Sequence, residues 1–180
     1  MIISSPLVPW LDSLTALAAI LTKTPRMTLM TTVALPVVRG PVPLAKSLAA
    51  LDVLSGGRLI AGVGPGSSPQ DYALVGIAFE ERWKRFEEAI QLLRSLLQHD
   101  VPPFRGQFYA GDTTHLEPFP VQKPGVPMWI GSWGSEAGLR RVARLGAQQP
   151  RSLPGWGRWR WAMMEVAPSG CQLPCVESMA

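Results

Sequence analysis

Apolar side chains recur every three or four residues in four segments of the chain, and this spacing is typical of amphipathic helices. The segments are residues 10–21, 41–55, 80–98 and 136–145. Proline fits the first turn of the second segment, where the helix needs no amide hydrogen, and the glycine pair at positions 56 and 57 fits its end. We therefore predict four helices. The buried face of the second is expected to consist of Leu44, Leu48, Leu51 and Leu54.

Three short apolar runs alternate with the predicted helices, at residues 27–35, 58–63 and 127–130. Runs that are apolar on both faces are typical of strands in a parallel sheet covered on both sides. A parallel sheet also fits the alternation of strand and helix, because successive parallel strands are joined by a crossover. The pattern predicts an α/β fold. It leaves open whether the sheet is doubly wound or part of a barrel.

The composition is that of a globular protein, with 47% hydrophobic and 17% charged residues among 180. The net charge of +4 comes from basic residues that are scattered along the chain, so we expect no nucleic-acid partner. No apolar run approaches the ~20 residues of a membrane-spanning helix, and we expect a cytoplasmic protein without membrane contact. Two cysteines, Cys171 and Cys175, are too few for a four-ligand zinc site, so we predict no metal site.

The regular pattern ends near residue 146. Residues 147–180 show neither helical nor strand spacing, and three of the seven tryptophans fall between positions 156 and 161. Tryptophan interleaved with arginine also occurs at nucleic-acid and membrane contacts, but we favour an unpacked tail. We therefore divide the chain into an α/β domain over residues 1–146 and an irregular tail over residues 147–180. A frameshift near residue 146 is our hypothesis for the abrupt change.

Candidate binding chemistry lies in the loops that follow the strands, since ligands of parallel α/β folds bind at the carboxyl ends of strands. The loop at 131–135 reads Gly-Ser-Trp-Gly-Ser and leads directly into a helix. Its amide and hydroxyl groups suit a phosphate at a helix N-terminus, although Ser135 fits equally well as a simple helix cap. The loop at 64–68 resembles a dinucleotide fingerprint only weakly, because Pro65 has no amide hydrogen.

No catalytic residue stands out. The chain has no Gly-x-Ser-x-Gly elbow for a serine nucleophile. His99 and His115 are interpreted as surface residues, since neither has a paired carboxylate motif. Asp52 and Arg58 bracket the turn after the second helix, and we expect an ion pair between them. The catalytic residues therefore stay unknown.

Several motifs in order resemble those of the bacterial luciferase-like flavin-dependent oxidoreductases and monooxygenases. The first is Leu-Asp-Val-Leu-Ser-Gly-Gly-Arg at 51–58, followed by Gly-Val-Gly-Pro-Gly at 62–66. Further matches lie at residues 79–82, 104–109, 118–124, 128–132 and 139–146. The resemblance runs from about residue 12 to residue 146, and the ordered set is far more specific than any one of its members.

The resemblance implies a TIM (β/α)8 barrel that binds FMN or coenzyme F-420 and acts on small organic molecules. It also implies a cis peptide bond that does not involve proline within residues 31–33, beneath the flavin. The family's phosphate contacts fall on the loop at 131–135, which the helix-terminus argument also selects. The cofactor-binding residues implied are Thr32, Val33, Gly64, Ser132, Trp133, Gly134 and Ser135.

The chain departs from the family pattern in its extent. A complete barrel has eight strands and about 250 residues, whereas we find about three strand–helix units and so expect a partial barrel. Open sheet edges favour pairing with another chain, so we leave a homo-oligomer open. The side chains expected to be half uncovered are Val33, Leu35, Ile60, Val63, Trp129 and Ile130.

The sequence therefore predicts a fragment of a flavin-dependent oxidoreductase whose partners are the flavin and a small-molecule substrate. The main alternative is a non-catalytic remnant that holds a flavin or only pairs with another subunit. A doubly wound sheet that binds a nucleotide is the third interpretation.

Overall fold

A computed structural model describes residues 11–98, 101–111, 116–131 and 136–146. The expected tail at 147–180 lies outside the described residues, and the domain boundary there stays a prediction. A short 3-10 turn at Phe79–Glu81 precedes the fifth helix. The elements are α1 (Ser13–Leu21), β1 (Leu29–Met30), α2 (Pro36–Arg39), α3 (Pro41–Ser55), β2 (Leu59–Val63), α4 (Pro69–Leu74), α5 (Arg82–Leu97), β3 (Met128–Ile130) and α6 (Glu136–Gly146).

The three strands form one parallel sheet in the order β1-β2-β3. Met30 lies opposite Ile60, and Gly62 lies opposite Trp129. The predicted strand at 27–35 is shortened to β1 because the chain leaves the ladder after Met30 and rejoins it at Ala34, which pairs with Val63. The α/β fold with a parallel sheet is confirmed.

The four predicted helices are present as α1, α3, α5 and α6, while α2 and α4 were not predicted. Both of these helices are too short, at four and six residues, to show an apolar period. Each begins with a proline that follows a strand, so Pro36 starts a helix as well as ending the strand before it. At the start of α4, the hydroxyl of Ser68 accepts a hydrogen bond from the amide of Asp71 at 3.2 Å.

The core lies between the sheet and the helices, and all five residues of β2 are buried. The α3 face is confirmed at Leu44, Leu48 and Leu51, but Leu54 is 65% exposed. The buried line of α3 continues from Leu51 to Ser55, four residues on, so Leu54 projects away from the core. Large side chains that are almost fully buried fill the interior: Leu59, Val63, Phe86, Ile90, Leu92, Leu93, Leu97, Met128 and Leu145.

The expectation of half-covered strands is wrong for four of the six side chains concerned. Leu35, Val63 and Ile130 are buried because they belong to the core that packs against the helices. Ile60 is also buried, with 5% of its surface exposed, although it lies outside that core cluster. Val33 and Trp129 are partly exposed.

The expected ion pair between Asp52 and Arg58 is replaced by other hydrogen bonds. Asp52 is fully buried and accepts from Gln122, at 3.1 Å from its amide nitrogen and 2.6 Å from Nε2. The Arg58 guanidinium donates to the carbonyls of Ser55 and Thr24, at 2.7 and 2.6 Å. The two side chains differ in their surroundings. Asp52 points into the core, where amide donors satisfy its carboxylate. Arg58 links the end of α3 to the segment that precedes β1.

Candidate functional site

The carboxyl ends of the three strands meet at one edge of the sheet, and hydrogen bonds from the segments after β1 and β3 join them there to β2. The carbonyl of Gly62 accepts a hydrogen bond from the amide of Ala34 at 2.8 Å and from Oγ1 of Thr31 at 2.7 Å. Thr31 is buried, whereas the neighbouring Thr32 is exposed. On the other side, the amide of Gly131 donates to Val63 at 2.8 Å. The residues after all three strands are therefore held in one fixed arrangement.

Glycines form a close-packed surface at this edge, which we call the glycine floor: Gly62, Gly64 and Gly131. A Cβ atom added to Gly62 would lie 1.9 Å from the carbonyl oxygen of Thr31. An added Cβ would lie 2.9 Å from Val33 Cγ2 at Gly64 and 3.3 Å from Val33 Cγ1 at Gly131. A larger residue at Gly62 or Gly64 would displace the Thr31 carbonyl or Val33, and one at Gly131 would be in tight contact with Val33.

The segment that crosses the glycine floor carries the backbone feature that the resemblance implied. The peptide bond between Thr32 and Val33 is cis. Val33 is partly exposed, and its two methyl groups lie against Gly64 and Gly131 of the floor. Thr32, Val33 and Gly64, three of the predicted cofactor-binding residues, thus lie together.

The loop after β2, residues 64–68, is held from two sides. Gly66 has φ +78°, and a Cβ atom added to it would lie 3.1 Å from Leu35 Cδ1. From the other side, the hydroxyl of Tyr72 donates to the carbonyl of Pro65 at 2.5 Å. Burial raises the pKa of Tyr72 to about 12, and the neighbouring Tyr109 adds to this effect while Arg82 opposes it. The phenol therefore stays protonated and able to donate at neutral pH.

Sequence reasoning missed Tyr72, although one signal was present. It lies one turn into α4, the short helix that begins at Pro69 directly after the glycine-rich loop. A tyrosine at that place is within reach of the loop it follows. Its ring packs edge to face against Phe79, with ring centroids 5.4 Å apart.

A cavity of about 290 Å³ opens beside the glycine floor, between α1 and β1. Its wall is largely apolar, and Thr32 and Val33 contribute to it from the floor side. The remaining lining residues are Leu11, Ser13, Ala16, Leu17, Ile20, Met30 and Thr31.

An ion pair ties the start of α1 to the end of α2. Asp12 accepts from Arg39, and it also caps α1 by accepting from the amide of Thr15 at 2.9 Å. Burial on its own raises the pKa of Asp12, but the hydrogen bonds from Arg39 and Thr15 outweigh it and lower that pKa to about 2. The carboxylate is therefore ionised throughout the physiological pH range.

The remaining predicted site residues lie outside the described residues: Ser132, Trp133, Gly134 and Ser135, together with His99 and His115. Gly131, directly before this loop, is placed on the glycine floor, and α6 starts directly after it at Glu136. Within the described ranges, no three His, Cys, Asp or Glu side chains are grouped so that they could hold a metal ion. Among the helices described, none has the length and apolar character needed to cross a membrane.

A parallel sheet with helices between its strands defines an α/β protein, and folds of this class bind ligands at the carboxyl edge, where the glycine floor lies. The family model of the luciferase-like monooxygenases matches residues 3–148. The chain belongs to this family, and the resemblance found in the sequence is confirmed.

Two curated relatives illustrate the match. The uncharacterized protein Rv0953c of Mycobacterium tuberculosis is 35% identical over 148 residues, which are 82% of this chain and 48% of the relative. The F420-dependent glucose-6-phosphate dehydrogenase of Amycolatopsis mediterranei is 33% identical over 130 residues, which are 70% of this chain and 38% of the relative. The chain therefore spans less than half the length of these relatives.

Solved structures show the same partial correspondence. The monooxygenase RslO1 from Streptomyces bottropensis superposes with a TM-score of 0.69 at 31% identity, over 75% of this chain and 41% of that chain. An FMN complex of the oxygenating constituent of 3,6-diketocamphane monooxygenase from Pseudomonas putida has a TM-score of 0.60 at 16% identity, over 75% and 42%. The second likeness shows the fold alone. The three-stranded sheet and its helices thus match part of a luciferase-like barrel.

Proposed function

We propose that this chain forms the flavin-binding part of a flavin-dependent oxidoreductase of the luciferase-like monooxygenase type, acting on a small organic substrate. The observation that carries the proposal is the position of Val33 against Gly64 and Gly131 at the carboxyl edge of the sheet. A flat tricyclic ring needs a surface that lies close to the backbone, and the glycines add no side chain of their own to that surface.

The residues present fit such a cofactor. The space that a Cβ atom would fill at Gly64 and Gly131 is already taken by the methyl groups of Val33, so Val33 is the side chain that meets a ring at this edge. Thr32 adds an exposed hydroxyl beside it. When bound, the flavin supplies the hydride or oxygen chemistry, and this chain binds and orients it.

The phosphate of the cofactor is assigned to the loop at 132–135, in front of α6. Amide groups at a helix N-terminus and the hydroxyls of Ser132 and Ser135 suit a phosphate. Trp133 and Gly134 lie between these serines in the sequence. This assignment rests on the resemblance and on the position of Gly131, which starts the loop at the edge of the glycine floor.

The relatives support FMN or F-420 as the cofactor without choosing between them. A relative at 33% identity is named as F420-dependent, and a solved structure of the same fold holds FMN. Both cofactors present a flat ring system and a phosphate, which are the two groups that the floor and the loop would take.

A second candidate function is a non-catalytic module that holds a flavin or pairs with another chain. Among the described residues, β1 and β3 each pair with β2 alone, and an open strand edge favours pairing with another chain. Binding without turnover separates this module from the enzyme.

Titration of the purified full-length chain with FMN and with F-420, followed by cofactor fluorescence, tests the proposal. We expect saturable binding of one of the two at one site per chain. Oxidation of the reduced, bound cofactor by oxygen or by a small carbonyl substrate, or reduction of the oxidised, bound cofactor by a small alcohol, would support the enzyme. Binding without turnover would support the module that holds a flavin. Absence of binding to either cofactor would contradict both the enzyme and that module, and would leave only pairing with another chain.

A further inference from the structure

Tyr72 connects the loop at the carboxyl edge to the interior of the protein. It is fully buried, and its hydroxyl donates to the carbonyl oxygen of Pro65 at 2.5 Å. Pro65 has no amide hydrogen, so this carbonyl is the one backbone hydrogen-bonding group that the residue offers. The hydroxyl of Tyr72 therefore bonds to the one polar backbone group of Pro65, which directly follows Gly64 of the glycine floor.

The contacts around Tyr72 fix its position. Its ring packs edge to face on Phe79, and Phe79 in turn lies beneath the Arg82 guanidinium, with Arg82 Cζ 4.0 Å from the ring centroid. The carbonyl of Tyr72 also accepts a hydrogen bond from the amide of Ile77 at 3.0 Å. A rigid phenol thus projects from the core toward a single loop carbonyl.

The loop that receives this hydrogen bond borders the glycine floor. Its first residue, Gly64, donates to the carbonyl of Ala34 at 3.0 Å, and Gly66 packs under Leu35. Pro65 lies between these two fixed glycines. The height of the loop above the sheet is therefore set by Leu35 on one side and by the Tyr72 hydroxyl on the other.

We propose that Tyr72 is a positioning residue that holds the Gly64–Gly66 segment in place and thereby sets how the flavin lies on the glycine floor. This inference rests on the proposed function. Tyr72 acts through Pro65 and does not itself touch the flavin.

The variant Tyr72→Phe removes the hydroxyl and keeps the ring. The chain offers a matched control, because its only other tyrosine is Tyr109, which lies on a turn held by the carboxylate of Glu88. Tyr109→Phe makes the same chemical change at a neighbour of Tyr72 whose hydroxyl forms no hydrogen bond to the loop. We expect Tyr72→Phe to speed hydrogen exchange at the amides of Gly64 and Gly66 in the free chain and to weaken flavin binding about fivefold to tenfold, the effect of one lost hydrogen bond. The absorption spectrum of the bound flavin should shift. Tyr109→Phe should change none of these.

The outcomes separate this inference from the proposed function. Unchanged exchange at Gly64 and Gly66 in Tyr72→Phe would overturn the inference whether or not the chain binds flavin. Faster exchange with unchanged affinity and spectrum would overturn the positioning role and leave the proposed function standing. If the wild-type chain binds no flavin, the proposed function and the cofactor part of this inference both fall.

A second measurement covers the case in which Tyr72→Phe does not fold. In Tyr109→Phe labelled with 3-fluorotyrosine, the single fluorine resonance comes from Tyr72. We expect this resonance to move when FMN or F-420 is added. A resonance that stays unchanged while the cofactor binds would overturn the inference.

Discussion

Val33 and Gly64 are packed so closely that a single methyl group added to the glycine would lie 2.9 Å from Val33 Cγ2. Val33 follows β1 and Gly64 follows β2, so the contact joins the ends of two neighbouring strands. The methyl groups of Val33 are stiff because the side chain is branched at Cβ. The contact therefore fixes the surface on which we place the flavin ring.

The variant Gly64→Ala should weaken flavin binding about tenfold, because the added methyl group pushes Val33 into the space of the ring at a cost of ~1–3 kcal/mol. Gly146→Ala is the matched control, since nothing lies within 4 Å of a Cβ added there. Cofactor titration of the two variants gives the comparison. The double variant with Val33→Ala should recover part of the lost affinity, and equal affinities for all three variants would contradict this account of the floor.

Replacement of Gln122 by alanine should destabilise the chain by about 1–3 kcal/mol, because the buried Asp52 carboxylate and a strand carbonyl lose their amide donor. Gln122 Nε2 donates to Asp52 Oδ1 at 2.6 Å and to the carbonyl of Leu59 at 2.8 Å. Urea denaturation measures the change. Gln107→Ala, at an exposed side chain, should leave the midpoint within error. A similar loss in both variants would argue against a special role for Gln122.

The Asp12–Arg39 pair should make stability depend on pH at the acidic end. Because the pKa of Asp12 is about 2 in the folded chain and ordinarily 3.8, the stability it contributes is present above 3.8 and is lost as the pH falls toward 2. Thermal unfolding between pH 2 and 6 should show this loss in the wild type and a flatter profile in Asp12→Asn.

The control for this pH profile is Glu136→Gln. Glu136 and Arg140 form an ion pair in which both side chains are about four-fifths exposed, at 80% and 79%, and such pairs contribute little to stability. Its acid profile should match that of the wild type. A profile of Asp12→Asn that also matches the wild type would show that Asp12 does not cause the loss of stability at acidic pH.

The loop before α6 should distinguish FMN from riboflavin, which lacks the phosphate. We expect FMN to bind about tenfold or more tightly, because a helix N-terminus and serine hydroxyls favour a phosphate. Ser132→Ala and Ser135→Ala should reduce this preference. Ser47→Ala should not, since the Ser47 hydroxyl bonds to the Pro43 carbonyl within α3. Equal binding of FMN and riboflavin to the wild type would contradict the phosphate assignment.

Local sequence patterns predicted the elements that carry a repeated apolar face. Phe86, Ile90, Leu93 and Leu97 recur at helical spacing, and all four are buried on α5. The predicted burial of Leu54 was wrong. Spacings of three and of four residues both fit an apolar face, and only the burial of Ser55 shows that the spacing of four continues along the core. Neither α2 nor α4 is long enough to show a repeated apolar face.

Contacts between distant residues were beyond the reach of these patterns. Asp52 and Gln122 are 70 residues apart, and nothing near Asp52 in the sequence distinguishes this partner from Arg58. The sequence showed the glycines of the floor only as parts of loop motifs. Glycine is favoured at Gly64 and Gly131 for a steric reason, the closeness of Val33 in the segment after β1. Thr32, Val33 and Gly64 were grouped by resemblance, and the structure brings them to one edge.

The most direct test of the account is an amide NMR titration of the full chain with FMN and with F-420. We predict that the resonances of Val33, Gly64 and Gly131 shift together on addition of the cofactor that binds, while those of Gly56 and Gly146, which lie in open surroundings, stay in place. Binding that shifts other residues and leaves Val33, Gly64 and Gly131 unmoved would contradict the assignment of the glycine floor as the flavin site.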